Sequence, residues 1–228
     1  MLNAWLILWP VVLTVGLFLG MRRLYSRYPF AFFHPVLTTT TVICVFLVVC
    51  QIPYRTYMVG GKWLEQLLGP SVVALAYPLY NQRKVMYRYK NAVILGISSG
   101  LVTAMGSIVL FAKLFKVEDE IVYTMLPKSI TTPVAIQLSE SISGVPSLTA
   151  VFVMVAGFSG IIIGPVLMKI MGIEQSLGKG LALGSAAHAL GIAKSTEYGE
   201  MALSMASVSM TLSAIIGAFV GPLIILFL

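Results

Sequence analysis

The sequence is poor in charge. Of its 228 residues only 10% are Asp, Glu, Lys or Arg, while 58% are apolar and the mean hydropathy is +0.95. Soluble domains carry roughly 25% charged and about 45–50% apolar residues. Fifteen basic and eight acidic side chains are too few to cover a soluble globule with so much apolar surface. Disordered chains are polar, so disorder is excluded too. No polar stretch is long enough to be a soluble domain on a single-span anchor. Cysteine and histidine are also scarce. Cys44 and Cys50 lie six positions apart in one apolar run and cannot meet on a helix; they read as small apolar packing residues. There is no Gly-rich phosphate loop, no His-Glu-x-x-His helix and no cysteine pair at metal spacing. Neither an enzyme nor a bound metal or cofactor is therefore expected. Two lone histidines, His34 and His188, are weak evidence for haem. Ser185 precedes His188 at i, i+3 spacing, but no oxyanion donor accompanies that pair.

What is present fits an all-α polytopic membrane protein forming a single integral domain over residues 1–228. Charge-free runs cover Met1–Met21, Tyr28–Tyr54, Gln66–Gln82, Asn91–Ala112, Ser141–Met168 and Met201–Leu228. They predict six firm spans, with Gln66–Gln82 at the short end of what a bilayer core needs. Two further apolar stretches, Ile121–Ser139 and Gly180–Ala193, are short or interrupted and predict discontinuous helices. A transmembrane barrel needs alternating strands, and runs such as Val42–Val49 do not alternate.

Basic residues give the orientation. Arg22, Arg23 and Arg27 follow the first span, and Arg83, Lys84, Arg88 and Lys90 follow the third. Placing both clusters in the cytoplasm puts the N-terminus outside. That terminus has no basic n-region and no small-residue cleavage site, so it reads as a span. The net charge of +7 needs no nucleic acid, because anionic lipid attracts those clusters.

The interrupted stretches carry the chemistry. The first reads Leu126-Pro127-Lys128-Ser129-Ile130-Thr131-Thr132-Pro133. Each proline removes a backbone donor and clashes with the turn before it. At membrane depth the freed peptide groups are tolerated only against protein or water. Ser129, Thr131 and Thr132 add hydroxyls, Lys128 adds a charge, and a helix starting near Pro133 would aim its positive end at an anion. That is how discontinuous helices hold anionic solutes in transporters. The competing reading is a surface loop capping an ordinary helix. Leu68-Gly69-Pro70-Ser71 gives a fainter copy, with Ser71 falling on Ser129, and Ser99-Gly100 matches Ser159-Gly160 after a two-residue shift. An internal repeat over 64–115 and 122–171 is one explanation; shared apolar composition is the other. The second stretch places Gly180, Gly184, His188 and Gly191 on one helical face, where small residues let backbones approach. His188 reads equally as a proton relay or a plain helix–helix hydrogen bonder. Glu140 and Glu197, at segment ends, read as interfacial groups or as coupling groups.

These residues resemble the LrgB/CidB family. The resemblance rests on Gly69-Pro70 through Tyr80, on Leu126-Pro127-Lys128-Ser129 with Thr131-Thr132-Pro133, on Gly144-Val145-Pro146-Ser147-Leu148-Thr149-Ala150-Val151, and on Lys179 to His188. It covers nearly the whole chain. The last motif departs from the family's usual Gly-Thr-Ala-Ser-His-Ala-x-Gly-Thr-Ala, with Ser185, Ala187 and Ile192 at the three hydroxyl positions. The resemblance implies a bacterial inner membrane and a small LrgA-type membrane partner. It also implies two functional traditions: antiholin-like control of murein hydrolase export and lysis, or translocation of pyruvate, glycolate or glycerate. The cost of a lysine within the membrane favours transport of a small monocarboxylate. Lys128, Ser129, Thr131, Thr132, Ser71, Ser185 and His188 are then the expected solute-binding residues. Glu140, His188 and Glu197 are the expected coupling or gating groups, and a homo-oligomer is expected.

Overall fold

A computed structural model describes residues 4–28, 33–74 and 76–225. Parts of the first, second and last predicted spans, and Leu75 in the third, lie outside those residues. The described residues are helical throughout, with turns and short links between helices. Among the described residues four helices are long and apolar enough to cross a bilayer. These are α1 (Ala4–Arg27), α7 (Lys90–Phe115), α10 (Pro146–Ile170) and α12 (Glu200–Ile225). The other two predicted spans take a different form. The second becomes α2 (Pro35–Val49), whose 15 residues fall short of the roughly 20 that a bilayer core needs. The third is described as α4 (Leu68–Ala74) and α5 (Ala76–Asn81), on either side of Leu75, which lies outside the described residues. Cys44 and Cys50 are exposed, not packed inside.

The chain forms two compact units, Met1–Pro70 and Ser71–Leu228. In the first, α1 packs against α2 and α3 (Tyr54–Glu65). Gly60 of α3 lies so close to Ile7 and Pro10 of α1 that a side chain there would collide with them. Thr14 and Tyr57 join hydroxyls at 2.8 Å.

In the second unit, α6 (Arg83–Arg88) leads into α7. Two interrupted segments then separate three long helices. The first comprises α8 (Asp119–Met125), a 3-10 turn over Leu126–Ser129, and α9 (Thr132–Ser141). Ile130 between them is extended, with φ −128° and ψ 168°. The segment turns back on itself, because the end of α9 returns to the end of α8 where α10 begins. Thr149 of α10 reaches both arms: its Oγ1 lies 2.8 Å from the Thr124 carbonyl and 2.7 Å from Ser139 Oγ. The Val145 amide donates to Thr124 Oγ1 at 2.9 Å. Gly144 is required beside this clasp, since a Cβ would stand 2.6 Å from Ser139 Oγ.

The second interrupted segment is α11 (Ser176–Ser195), whose helical geometry fails at His188, with φ 52° and ψ −128°. In a straight helix residues 183 and 191 would stand about 12 Å apart. Here a Cβ on Gly191 would collide with the Leu183 carbonyl. The chain therefore reverses at His188, and residues 189–195 run back beside residues 176–187. This corrects the expectation that Gly180, Gly184, His188 and Gly191 share one face of a single helix. Only Gly180 and Gly184 keep the predicted role, pressing against the backbone of Ala202 and Ala206 in α12.

The hairpins enter from opposite ends. Gly96 of α7 lies near Leu181, while Gly157 and Gly164 of α10 meet Leu190 and Leu183 in antiparallel order. One end of the unit gathers the start of α7, the end of α10 and the base of the second hairpin. It carries Lys90, Lys169, Lys179 and Lys194, with Arg83, Lys84 and Arg88 just before α7. The other end carries Glu118, Asp119, Glu120 and Glu140 with Lys113 and Lys116. Residues 90–141 and 146–195 are thus two units of like order and opposite direction. Ser99-Gly100 and Ser159-Gly160 fall in the long helix of each. α12 walls both hairpins: Gly217 and Gly221 make room for Ile130 and Leu138, as Ala202 and Ala206 do for the second hairpin.

Thr124, Ser139 and Thr149 are wholly buried, so breaking their clasp strands polar groups. Thr149→Val is expected to destabilise the protein by about 1–3 kcal/mol. Thr103→Val, at an exposed position of α7, is expected to change little. Thermal unfolding of the two variants in detergent checks this.

Candidate functional site

The hairpin tips meet about halfway along the long helices. Pro127 begins this arrangement by interrupting the helix after Met125, and Leu126 and Pro127 are buried. The segment is therefore not a surface loop. Thr131 ends the extended link and starts α9, with Pro133 in its first turn. Pro133 has no amide hydrogen, and the Val134 and Ala135 amides donate to the Thr131 carbonyl at 3.1 and 2.9 Å, while the helix dipole makes that end partly positive.

Lys128 and Ser129 at the first tip share a cavity of about 190 Å³ with Ser185 and Ala186 of the second hairpin. Gly100, Leu101 and Ala104 of α7 and Ala156 of α10 complete the lining. Small side chains from three helices create the space, and one ammonium and two hydroxyls supply its polarity. Ser185 donates to its own helix, to the Leu181 carbonyl at 2.8 Å, so its oxygen faces the cavity chiefly as an acceptor. Lys128 has no acidic partner within salt-bridge distance among the described residues.

His188 stands behind this cavity at the reversal point, 3% exposed. Its ring lies against the Ser129 backbone and within electrostatic reach of Lys128. The Ser129 backbone is the near partner of one ring nitrogen, and neither nitrogen makes a well-formed hydrogen bond among the described residues. An imidazole carries a donor or acceptor at each nitrogen, and leaving one unpaired inside a protein is costly. The arrangement thus has unused hydrogen-bonding capacity at the point where both tips converge.

Sequence reasoning grouped Lys128, Ser129, Ser185 and His188, and the fold brings these four together. Thr131 is buried and Thr132 half-buried at the start of α9, on the same tip but outside the cavity lining. Ser71 is exposed on α4 and is also absent from that lining, so its alignment with Ser129 does not become proximity there. Glu140 is exposed at the end of α9. Glu197 is exposed and pairs with Lys194 at 2.8 Å, at the base of the second hairpin. Both glutamates thus stand at the ends of the unit. Ala187 packs against Gly160 and is not part of the lining, so the missing hydroxyl at 187 does not subtract from it. The small residues Gly100, Ala104 and Ala156 were not anticipated; their only sequence signal is the density of Gly and Ala in α7 and α10.

Three long helices enclosing two opposed, half-depth hairpins define a helical integral membrane protein with its polar site between broken helices. The sequence comparisons give the family. The LrgB-like family model matches residues 14–227, and the chain belongs to that family. It is 52% identical over 215 residues to Uncharacterized protein YxaC of Bacillus subtilis (strain 168), covering 94% of each chain. It is 33% identical over 216 residues to Holin-like protein CidB of Staphylococcus aureus (strain N315), covering 95% of this chain and 94% of the relative. Holin-like protein CidB of Staphylococcus epidermidis (strain ATCC 12228 / FDA PCI 1200) is similar at 32% identity. No solved structure matches the chain.

A left-handed backbone at His188 costs an L-residue with a Cβ about 1–2 kcal/mol that glycine does not incur. His188→Gly is therefore expected to be more stable than His188→Ala by about that amount. Inside an ordinary helix the order is the reverse, with Gly about 1 kcal/mol worse than Ala. Unfolding midpoints of the two variants, measured side by side, decide between a reversal and a continuous helix.

Proposed function

We propose that this protein is a carrier, not an enzyme, and moves a small monocarboxylate of the pyruvate, glycolate or glycerate class across the bacterial cytoplasmic (inner) membrane. The observation that carries the reading is an unpaired ammonium, Lys128, in the wall of a cavity between two hairpin tips. A lysine at membrane depth is expensive, about 2.5–3.5 kcal/mol on insertion scales, and a bound carboxylate offsets that cost. Ser129 and Ser185 are placed to bind a 2-oxo or 2-hydroxy oxygen, and the first turn of α9 adds a favourable dipole. The imidazole of His188 supplies the second polar group for a solute or proton. Opposed hairpins give the geometry for alternating access, because each end of the unit closes over the site with a different segment. The basic end faces the cytoplasm on this reading, which puts the C-terminal end of α12 outside. Ser71, Glu140 and Glu197 then act, if at all, on entry and release and not on binding.

A second reading is favoured by the name Holin-like protein CidB carried by the staphylococcal relatives. On it the chain regulates murein hydrolase export and lysis without moving a solute. A small LrgA-type membrane protein is the partner proposed for either role, in a homo-oligomeric assembly.

Reconstitution in liposomes, with and without that partner, separates the readings. Saturable uptake of labelled pyruvate, glycolate or glycerate is expected. Lys128→Ala is expected to lower uptake at subsaturating solute by at least tenfold, and Lys113→Ala, at the end of α7, by less than twofold. No uptake under either condition, or equal losses in the two variants, removes the carrier reading.

A further inference from the structure

We propose that the carboxylate solute of this protein carries an apolar tail, held between α7 and the first hairpin. The inference rests on the carrier reading and extends its solute class to acids longer than three carbons. Lys128 lines not one cavity but two. Beside the polar one lies a second, of about 280 Å³, between the C-terminal half of α7 and α8. Ile108, Ala112 and Val122 are buried around it as a separate apolar cluster, with Met125 packed against them. Ser107 also lines it, but its hydroxyl is spent on the Ala104 carbonyl at 2.8 Å. Lys128 is the charged group among the lining residues.

A bare two- or three-carbon acid has polar oxygens and almost no hydrocarbon. It would use the chamber with Ser129 and Ser185 and leave the apolar one unfilled. An ammonium on the boundary of a polar and an apolar chamber instead matches a 2-oxo or 2-hydroxy acid with an alkyl side chain. Its carboxylate meets Lys128, its 2-oxygen meets the serines, and its alkyl group displaces water or lipid from the apolar walls. Charge complementarity decides against a neutral lipid chain, which would gain nothing from Lys128. Burying one methylene is expected to tighten binding about fourfold.

The test is a binding series on the purified full chain, read as the concentration of acid that gives half-maximal thermal stabilisation. The acids are pyruvate, 2-oxobutanoate, 2-oxopentanoate and 4-methyl-2-oxopentanoate. Affinity is expected to rise about fourfold per added carbon until the chamber is full. Ser107→Phe fills the chamber from a half-buried position and is expected to bring the ratio of longest to shortest acid close to one. Met125→Ala enlarges it and is expected to steepen the series; it also serves if Ser107→Phe does not fold. A flat or falling series in the natural protein with pyruvate still bound overturns the tail and spares the carrier reading. So does a rising series that neither variant alters. Absence of binding by every acid overturns both.

Discussion

A chain that turns round halfway across a bilayer frees peptide groups where no water is at hand to receive them. That constraint shapes the second unit of this protein. Both reversals, at Leu126–Thr131 and at His188, lie buried or half-buried among α7, α10 and α12. Neither could face lipid, because unpaired amides and carbonyls cost several kcal/mol each in hydrocarbon. The three long helices therefore act as a sleeve around two broken segments. The polar site follows, since the backbone irregularities at Leu126–Thr131 and His188 are the ones the sleeve protects.

The two hairpins are held by different physics. The first is fastened to the start of α10 by hydroxyl and amide hydrogen bonds through Thr124, Ser139 and Thr149. These bonds are directional, and they fix how far apart its arms stand. The second is held chiefly by backbone proximity, with Gly180 and Gly184 pressed on Ala202 and Ala206, and by a hydrogen bond that Ser209 Oγ of α12 donates to the Leu181 carbonyl at 2.8 Å. Such small-residue seams stabilise through van der Waals contact over a smooth surface.

Lys128 and His188 give the site its chemical character. A membrane protein that needed only to assemble would have little reason to keep an ammonium and a buried imidazole near each other at mid-depth. Intramembrane ionisable groups generally mark solute or proton pathways. The fold adds that Lys128 stands at a junction of two chambers of different polarity. Specificity can then depend on an apolar wall as much as on the charge.

The sequence by itself determined that this is an all-helical membrane protein, because charge is too sparse to cover a soluble surface. It also marked the first interruption: prolines at 127 and 133 break a helix whatever surrounds them, and Lys128 and Ser129 are named by the same motif. Tertiary structure alone decided the rest. The reversal at His188 has no local signature, for the residues around it are mostly Ala and Gly, which read as plain helix, and no proline stands there. Its left-handed backbone is held in place by α10 and α12, whose contacting residues lie outside any short window around it. The meeting of Ser185 with Lys128 is of the same kind, separated by 57 positions in sequence and joined only by the opposed entry of the hairpins. Ser71 shows the converse, since a residue can match Ser129 in local pattern and still be exposed and apart from the cavity. Local pattern reports where a chain prefers to break; which broken ends meet depends on long-range packing that no short window of sequence contains.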